Sequence, residues 1–162
     1  MLDTKLCVGE TVMVASFIHP RQLIIPPDSD VMRSATILII DDHRQVRESF
    51  AFFLGNCAGV EVVGEASNGI EGVIQYQRLR PDVVLMDLVM PIMDGVEATR
   101  MIREHDPAAT VIALTGFDDQ SLENAALDAG ARMCLSKATD LVHLLDIIRS
   151  AARIDPSSAD PI

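Results

Sequence analysis

The segment 83–95 constrains the fold more than any other part of the chain. Four apolar residues in a row, 83–86, are followed directly by Asp87, and Pro91 and the pair Asp94-Gly95 then break the chain. An uninterrupted apolar run that ends at turn residues indicates a strand buried on both faces of a parallel sheet. We therefore predict that Asp87 lies at the carboxyl end of this strand, the edge where open α/β folds carry their chemistry.

Similar apolar runs alternate with amphipathic segments over residues 35–153. The runs predict strands at residues 36–40, 60–65, 83–86, 110–114 and 132–136. The segments that follow predict helices that begin near residues 44, 68, 94, 119 and 139 or 140. Alternation of this kind predicts an α/β fold in which five parallel strands form a doubly wound sheet with helices on both faces.

The spacing of apolar residues predicts which side of each helix faces the sheet. The predicted inward residues, helix by helix, are Val46, Phe50, Phe53, Leu54 and Cys57; Ile70, Val73, Ile74 and Gln77; Ala98, Met101 and Ile102; Leu122, Ala125, Ala126 and Ala129; and Leu141, Leu144, Leu145 and Ile148. Asn68 and Asp94 are predicted N-caps, and Gly130 is predicted to end the fourth helix.

The two ends of the chain lack this alternation. Residues 1–34 contain Pro20, Pro26 and Pro27, and they predict a poorly ordered extension. Residues 154–162 predict a disordered tail. We therefore predict a main domain at residues 35–153.

Composition excludes several classes of protein. The net charge of -11 argues against a broad nucleic-acid surface. The three cysteines form no CxxC pair, which favours reduced thiols in a cytoplasmic protein over a disulfide framework or a zinc site. No apolar run approaches the ~20 residues that cross a bilayer, so we expect no membrane segment.

Polar side chains also follow three other predicted strands. Asp41-Asp42 follow the first, Thr115-Gly116 the fourth and Lys137 the fifth. Because parallel strands end at the same edge of a sheet, we expect these residues to converge on Asp87. The two acids argue against a nucleotide-binding loop, which needs glycines there to bring backbone N–H groups close to phosphate.

Crowded carboxylates need a cation, and oxygen ligands with room for water suit Mg²⁺ or a similar hard ion. With such an ion bound, Asp87 has the chemistry of a nucleophile that attacks phosphorus and forms an acyl phosphate. Lys137 would neutralise charge on the transferring oxygens. The Thr115 hydroxyl and the Gly116 N–H would donate hydrogen bonds to a phosphoryl oxygen.

From residue 36 to about residue 153, the chain resembles the receiver domain of two-component response regulators. The residues that carry the resemblance are Asp41-Asp42, Asp87 within the segment 87–95, Thr115-Gly116 and Lys137. Asp42-His43 with Arg47, and the segment 63–69, are similar to the NarL/FixJ-type branch of the family. The resemblance implies a flavodoxin-like fold with strand order 2-1-3-4-5.

The resemblance implies a metal site as well as a fold. Asp42, Asp87 and the carbonyl group of Val89 are implied to bind Mg²⁺ directly, and Asp41 through a water molecule.

The remaining roles concern the phosphoryl group. Asp87 is implied to be the phosphoacceptor, Thr115 the switch hydroxyl, Gly116 a backbone donor and Lys137 a contact of the phosphoryl group. A protein of this kind catalyses only its own phosphorylation and dephosphorylation, so we expect no turnover enzyme.

Two positions depart from the family pattern. Cys134 stands three residues before Lys137, where the family usually has a Tyr or Phe that turns inward on activation. Phe117 and Met133 are the alternative residues for that coupling. Ala138 stands where a Pro often follows the lysine, so we expect a trans bond there.

The function implied is a signalling switch in which a sensor histidine kinase or a histidine phosphotransfer protein donates to Asp87. No helix-turn-helix segment follows the domain, so we expect output through a downstream protein partner rather than DNA. Two alternatives stay open: a phosphorylation-independent interaction module, in which Cys134 marks a lost switch, and the receiver fragment of a helix-turn-helix transcription regulator. A homodimer through the fourth and fifth helices, or the first and fifth, is also open.

Overall fold

The computed structural model describes residues 33–116 and 119–152, and they form ten elements in strict alternation. The elements are β1 (Ala35–Ile40), α1 (Arg44–Gly55), β2 (Val60–Ala66), α2 (Gly69–Leu79), β3 (Val83–Asp87), α3 (Gly95–His105), β4 (Val111–Thr115), α4 (Gln120–Asp128), β5 (Met133–Ser136) and α5 (Leu141–Ala152). Each predicted strand and helix is confirmed, with bounds that move by one or two residues.

The strands form a single parallel sheet in the order β2-β1-β3-β4-β5. The predicted fold class and strand order are therefore confirmed. β1, β3 and β4 are buried on both faces, which explains their continuous apolar runs. β2 lies at one edge, and its two glutamates, Glu61 and Glu65, are exposed there.

The core consists of apolar layers on the two faces of the sheet. Along β1, Ile37 and Ile39 pack on the face that α1 and α5 cover, whereas Leu38 and Ile40 pack on the face that α2 and α3 cover. A smaller cluster that includes Leu88 packs under α4. This alternation follows from the period of two along a strand, and it leaves the carboxyl ends of the strands uncovered for polar side chains.

The predicted inward face of α2 is wrong. Val73 is buried, but Ile70 and Ile74 are exposed, and Tyr76 faces the core with 2% of its surface exposed. The helix is rotated because it approaches the sheet at Gly72, where an added Cβ would lie 2.5 Å from Ile40 Cδ1. Met101 of α3, also predicted to face inward, is 41% exposed.

Asn or Asp side chains cap the starts of α2, α3, α4 and α5. Asn68 Oδ1 accepts a hydrogen bond from Glu71 N at 3.0 Å, and Asp94 Oδ1 accepts one from Glu97 N at 2.8 Å, as predicted. Asp119 caps α4 in the same way. The caps at α2 and α3 determine where the chain leaves β2 and β3, and so they help to place the residues at this edge of the sheet.

Tyr76 also ties α2 to the end of α3, because its hydroxyl donates to Asp106 Oδ2 at 2.7 Å. This hydrogen bond lowers the pKa of Asp106 below its usual value. A carboxyl group whose pKa is lowered by folding stabilises the folded state at pH values above its unfolded pKa. This stabilisation is lost as the pH falls through the folded pKa.

We expect Tyr76→Phe to lower the free energy of unfolding by about 1 kcal/mol at neutral pH. The deficit should shrink in acid, as measured by urea unfolding at several pH values, and a constant deficit would contradict this account.

The predicted extension, apart from Arg33 and Ser34, and the predicted tail lie outside the described residues. The domain bounds 35–153 therefore remain a prediction. Across residues 33–116 and 119–152, no helix has the length and apolar character needed to cross a membrane.

Candidate functional site

The predicted site residues lie together at the carboxyl edge of the sheet. Asp41 directly follows β1, Asp87 and Thr115 end β3 and β4, and Lys137 directly follows β5. Backbone hydrogen bonds continue the sheet into this edge, since Lys137 N donates to Thr115 O at 2.7 Å and Leu88 N donates to Leu114 O at 3.2 Å. The order of the strands thus brings residues that are far apart in sequence into one cluster.

An ammonium group between two buried carboxylates forms the centre of this cluster. Lys137 Nζ lies 2.6 Å from Asp41 Oδ2 and 2.8 Å from Asp87 Oδ2. The side chains of Asp41 and Asp87 are only 1% and 3% exposed. Each of these two oxygens pairs with the ammonium group and has no further hydrogen-bond donor among the described residues. Both therefore keep lone pairs available for another cation.

The burial of the cluster sets the protonation of its members. Burial raises the pKa of Asp87, and the neighbouring charge of Asp41 adds to this effect, while the contacts with Lys137 oppose it. The pKa of Asp87 is raised on balance. Burial alone would lower the pKa of Lys137, but its contacts with the two carboxylates raise it overall. Lys137 therefore stays protonated at neutral pH, and Asp87 is held by a permanent positive charge.

The donor set fits a divalent cation. One ligand atom from each of Asp41, Asp42, His43 and Asp87 lies within 4.8 Å of the others. Three of these side chains offer oxygens. Asp41 Oδ2, Asp42 Oδ1 and Asp87 Oδ2 are buried, and each lies within 2.8 Å of the Lys137 ammonium group or the His43 ring. Hard divalent ions such as Mg²⁺ prefer ligands of this type. The residues predicted to bind the metal thus have the chemistry that the prediction requires.

Val89 lies on the loop after β3, where its N–H donates to Asp87 Oδ1 at 3.2 Å. Its side chain is 53% exposed, so the mouth of the site is partly apolar. Thr115 is 3% exposed, and Gly116 is exposed beside it. Apart from its chain neighbours, no described residue has a heavy atom within 4 Å of a Cβ built on Gly116.

Gly95 at the start of α3 is pressed against the backbone that carries Asp87. Its N–H donates to Leu88 O at 3.1 Å, and an added Cβ would overlap the carbonyl oxygen of Asp87. A second glycine supports the other side of the loop, because Gly69 N donates to Met93 O at 3.1 Å. The Asp94 cap could be predicted from the sequence, whereas this contact of Gly95 could not.

Arg47 also supports the site, and this role could not be assigned from the sequence. Its Nη1 donates to the backbone oxygen of Asp41 at 2.7 Å, and its side chain is only 16% exposed. Its Nε lies 3.6 Å from Glu65 Oε2. Arg47 therefore holds the turn that carries Asp41 and Asp42. The only signal in the sequence was its place in the pattern Asp42-His43 with Arg47.

We expect Arg47→Ala to weaken Mg²⁺ binding about tenfold, because support behind metal ligands commonly contributes that much to affinity. Arg44→Ala on the same helix is the matched control. Arg44 is 81% exposed and pairs with Glu48 one turn away, an interaction that contributes little. Mg²⁺ titration by calorimetry compares the two variants, and equal affinities would remove the role assigned to Arg47.

The residues considered for the switch lie on different faces of β5. Cys134 packs against the α4 cluster with Leu122, and burial raises the pKa of its thiol. Met133 and Leu135 pack on the opposite face, against the layer of α1 and α5. Met133 therefore does not occupy the space of an aromatic ring at position 134. Phe117 lies outside the described residues.

Comparison with known proteins decides the family. The sequence matches the Response regulator receiver domain over residues 37–149, which is most of the 162-residue chain. The chain belongs to the response regulator receiver family. The predicted resemblance is therefore confirmed.

The relatives of this receiver domain include full-length regulators and isolated domains. The chain is 43% identical over 120 residues to the transcriptional regulatory protein LiaR of Bacillus subtilis, covering 74% of this chain and 57% of LiaR. It is 38% identical over 117 residues to the response regulator protein VraR of Staphylococcus aureus, covering 72% of this chain and 56% of VraR. The chain thus spans just over half the length of these curated relatives.

Solved structures show the same fold. The receiver domain of the NarL response regulator from Mycobacterium tuberculosis is 27% identical with a TM-score of 0.72, and the match covers 76% of this chain and 99% of that one. The response regulator domain of Thermotoga maritima CheB is 29% identical with a TM-score of 0.70, and the match covers 76% of this chain and 100% of that one. Both similarities agree with the topology described above.

Proposed function

We propose that this receiver domain is a phosphorylation switch that accepts a phosphoryl group on Asp87. The observation that carries the proposal is the buried cluster in which Lys137 Nζ lies within 2.8 Å of both Asp41 and Asp87, beside the donor set suited to a divalent cation. A buried carboxylate with two further acids and a fixed ammonium group is poorly suited to a purely structural role, because crowded like charges are costly. The same groups are well suited to binding a metal ion and a phosphoryl group.

The donor in this proposal is a phosphohistidine on a sensor kinase or a phosphotransfer protein. A carboxylate oxygen of Asp87 forms the new bond to phosphorus, the bond from phosphorus to the imidazole nitrogen breaks, and the imidazole takes up a proton. The ammonium group of Lys137 faces the oxygens that gain charge, since it already contacts Asp87. Thr115 and Gly116 stand at the end of the neighbouring strand and supply a hydroxyl group and a backbone N–H.

Asp41, Asp42 and Asp87, with the carbonyl group of Val89, would hold Mg²⁺. When bound, the ion supplies charge neutralisation and orientation for the phosphoryl oxygens. The contribution of the chain is to keep Asp87 ionised and pointed into the cluster, through Lys137 on one side and the Val89 N–H on the other. The protein acts on itself and is not a turnover enzyme in this proposal, and its place is the cytoplasm.

The output is a contact with a downstream protein that distinguishes the phosphorylated surface.

A specific observation supports a second candidate function. LiaR is named a transcriptional regulatory protein, and the match covers only 57% of it. On this alternative the chain is the receiver part of such a regulator, and phosphorylation controls a DNA-binding segment. The phosphoacceptor chemistry is the same in both candidates.

The test is Mg²⁺-dependent labelling with acetyl phosphate, followed by intact mass. We expect the wild type to gain one phosphoryl group and Asp87→Asn to gain none, because an amide oxygen is not a nucleophile of this kind. Asp94→Asn is the matched control: Asp94 caps α3 at an exposed position, and Asn is an equally good cap. Labelling of Asp87→Asn at the wild-type rate would disprove the assignment. Absence of labelling in the wild type with Mg²⁺ bound would favour a phosphorylation-independent interaction module.

A further inference from the structure

Exposed apolar side chains are concentrated on the side of the domain that α2 and α3 form. Among the described residues, eight large apolar side chains are exposed, and four of them lie on α2, on α3 or in the loop that leads into α3. These four are Ile70, Ile74, Ile92 and Met101, and together they are called the α2–α3 surface. Exposed apolar side chains that lie together on one face commonly mark a protein–protein contact.

The packing of the two helices brings three of these side chains together. Gln75 of α2 donates to the backbone of β2 at 3.0 Å, so the other flank of the helix, which carries Ile70 and Ile74, lies toward α3. Met101 of α3 lies one turn before His105, whose ring is 2.9 Å from the guanidinium group of the arginine that caps the end of α2. Met101 is therefore on the flank of α3 that lies toward α2.

The loop before α3 extends this apolar surface to the first turn of α2. Gly69 N donates to Met93 O at 3.1 Å, and a Cβ added to Gly69 would lie 2.7 Å from Met93 Cγ. Ile92 directly precedes Met93 and has a φ of 74°, a backbone conformation that is rare for a β-branched residue. The side chain of Ile92 is 78% exposed. The loop therefore presents an apolar side chain to solvent next to the start of α2.

The charges around Ile74 make this surface complementary to itself. Glu71, Ile74 and Arg78 have the spacing i, i+3 and i+7, so they lie on one face of α2. Neither charged residue forms a salt bridge among the described residues, since Glu71 accepts from Ser67 and Arg78 donates to Gln75 Oε1 at 3.0 Å. When two α2 helices meet in antiparallel orientation, Glu71 of each copy faces the partner's Arg78, and Ile74 lies at the centre.

We propose that the α2–α3 surface is the contact between two copies of this chain, related by a twofold axis near Ile74. The two Ile74 side chains meet at the axis, and Ile70 and Met101 widen the apolar contact on the side of α3. The two pairs of Glu71 with the partner's Arg78 fix the antiparallel orientation. A twofold contact of this kind is closed, because both copies bury the same surface. The proposal goes beyond the proposed function and does not depend on phosphorylation of Asp87.

A second copy is favoured over an unrelated protein because it supplies both matching charges from the same sequence. The contact is small, since a standard interface buries about 800 Å² on each partner. The net charge of -11 also opposes association of two copies. We therefore expect a weak dimer with a Kd on the order of 100 μM.

The experiment is sedimentation velocity of the full chain at concentrations on both sides of this Kd, for the wild type and for Ile74→Glu. We expect the Kd of Ile74→Glu to rise about tenfold or more, because two like charges then meet at the axis. Val142→Glu is the matched control. Val142 lies on α5 and is 59% exposed, compared with 60% for Ile74, so the two substitutions add the same charge at equally accessible positions. The control should dimerise like the wild type.

Exchange of the charges tests the antiparallel orientation. Glu71→Lys and Arg78→Glu should each weaken the dimer, because either substitution brings like charges together in both pairs. An equimolar mixture of the two variants should associate again, since each charge in the mixed dimer faces the opposite sign. This recovery also shows that both variants are folded.

Four results would overturn the proposal. They are a wild type that stays monomeric at every concentration, an unchanged Kd in Ile74→Glu, an equal loss of association in Val142→Glu, and no recovery in the mixture. A monomeric wild type would leave the α2–α3 surface to a different protein. A loss in Val142→Glu would place the contact on α5 instead.

Discussion

Gly95→Ala is expected to destabilise the receiver domain by about 3 kcal/mol and to weaken Mg²⁺ binding. The added Cβ would overlap the carbonyl oxygen of Asp87 and lie 2.8 Å from Leu88 Cα. Both neighbours are backbone atoms, so a change of side-chain rotamer gives no relief. Either α3 moves away from the sheet or the backbone that carries Asp87 moves. The second outcome shifts Asp87, the proposed phosphoacceptor, so stability and metal affinity should fall together.

Gly55→Ala is the matched control for this substitution. Gly55 ends α1, and, its chain neighbours and its own helix backbone aside, no described residue has a heavy atom within 4 Å of a Cβ built on it. Because alanine favours a helix over glycine, we expect Gly55→Ala to be neutral or to stabilise by up to about 1 kcal/mol. Urea unfolding and Mg²⁺ titration of both variants provide the comparison. A Gly95→Ala variant with the stability and Mg²⁺ affinity of the wild type would show that the contact at Gly95 is not restrictive.

Lys137→Met is expected to cost about 2 kcal/mol of stability in the absence of metal, and to slow the labelling of Asp87. Methionine fills a similar volume but leaves Asp41 and Asp87 buried without their cation, which also raises the pKa of Asp87 further. Because a bound cation can replace the missing charge, the deficit should become smaller as Mg²⁺ is added. The measurement is urea unfolding in EDTA and at rising Mg²⁺ concentration.

Lys137→Arg separates charge from shape at the same position. Arginine keeps the positive charge, so most of the stability should be retained, but its planar group is larger and does not fit between two carboxylates in the same way. We expect Lys137→Arg to unfold at a urea concentration close to that of the wild type, and Lys137→Met to unfold at a much lower concentration. If Met and Arg are equally stable in EDTA, the ion pairs of Lys137 do not support the fold.

The fold could be predicted because the signals in the sequence are local and repeated. Each strand of the sheet interior is an uninterrupted apolar run, and each run ends at a polar residue that has no place in an apolar layer. The chain direction then forces the polar ends onto one edge of the sheet. For this reason the sequence predicts that Asp41, Asp87, Thr115 and Lys137 lie in one cluster.

The rotation of α2 could not be predicted in this way. Its hydrophobic spacing is compatible with Ile70 and Ile74 facing inward, but the glycine at position 72 lets the helix approach Ile40 closely and turns Tyr76 toward the core. The hydroxyl of Tyr76 then finds Asp106, 30 residues further along the chain. Neither feature leaves a local pattern in the sequence. Gly72 matters only because two elements come close together, and Asp106 lies far along the chain from Tyr76.

The supporting residues of the site were missed for a related reason. Arg47 acts on a backbone oxygen, and Gly95 acts through the side chain that it lacks. Neither contact depends on a matching residue type that could be recognised in the sequence. The chemical groups of a site can therefore be read from strand ends, whereas the parts that hold them depend on distances between elements.

The pair formed by Tyr76 and Asp106 joins the end of α2 to the end of α3, and these helix ends lie beside the beginnings of the strands. The acid cluster is at the other end of the sheet, so the two sets of interactions share no residue. Substitutions around Tyr76 can therefore change the stability of the domain without altering the acid cluster. Variants of the receiver domain with greater stability are therefore best sought at Tyr76 and its surroundings.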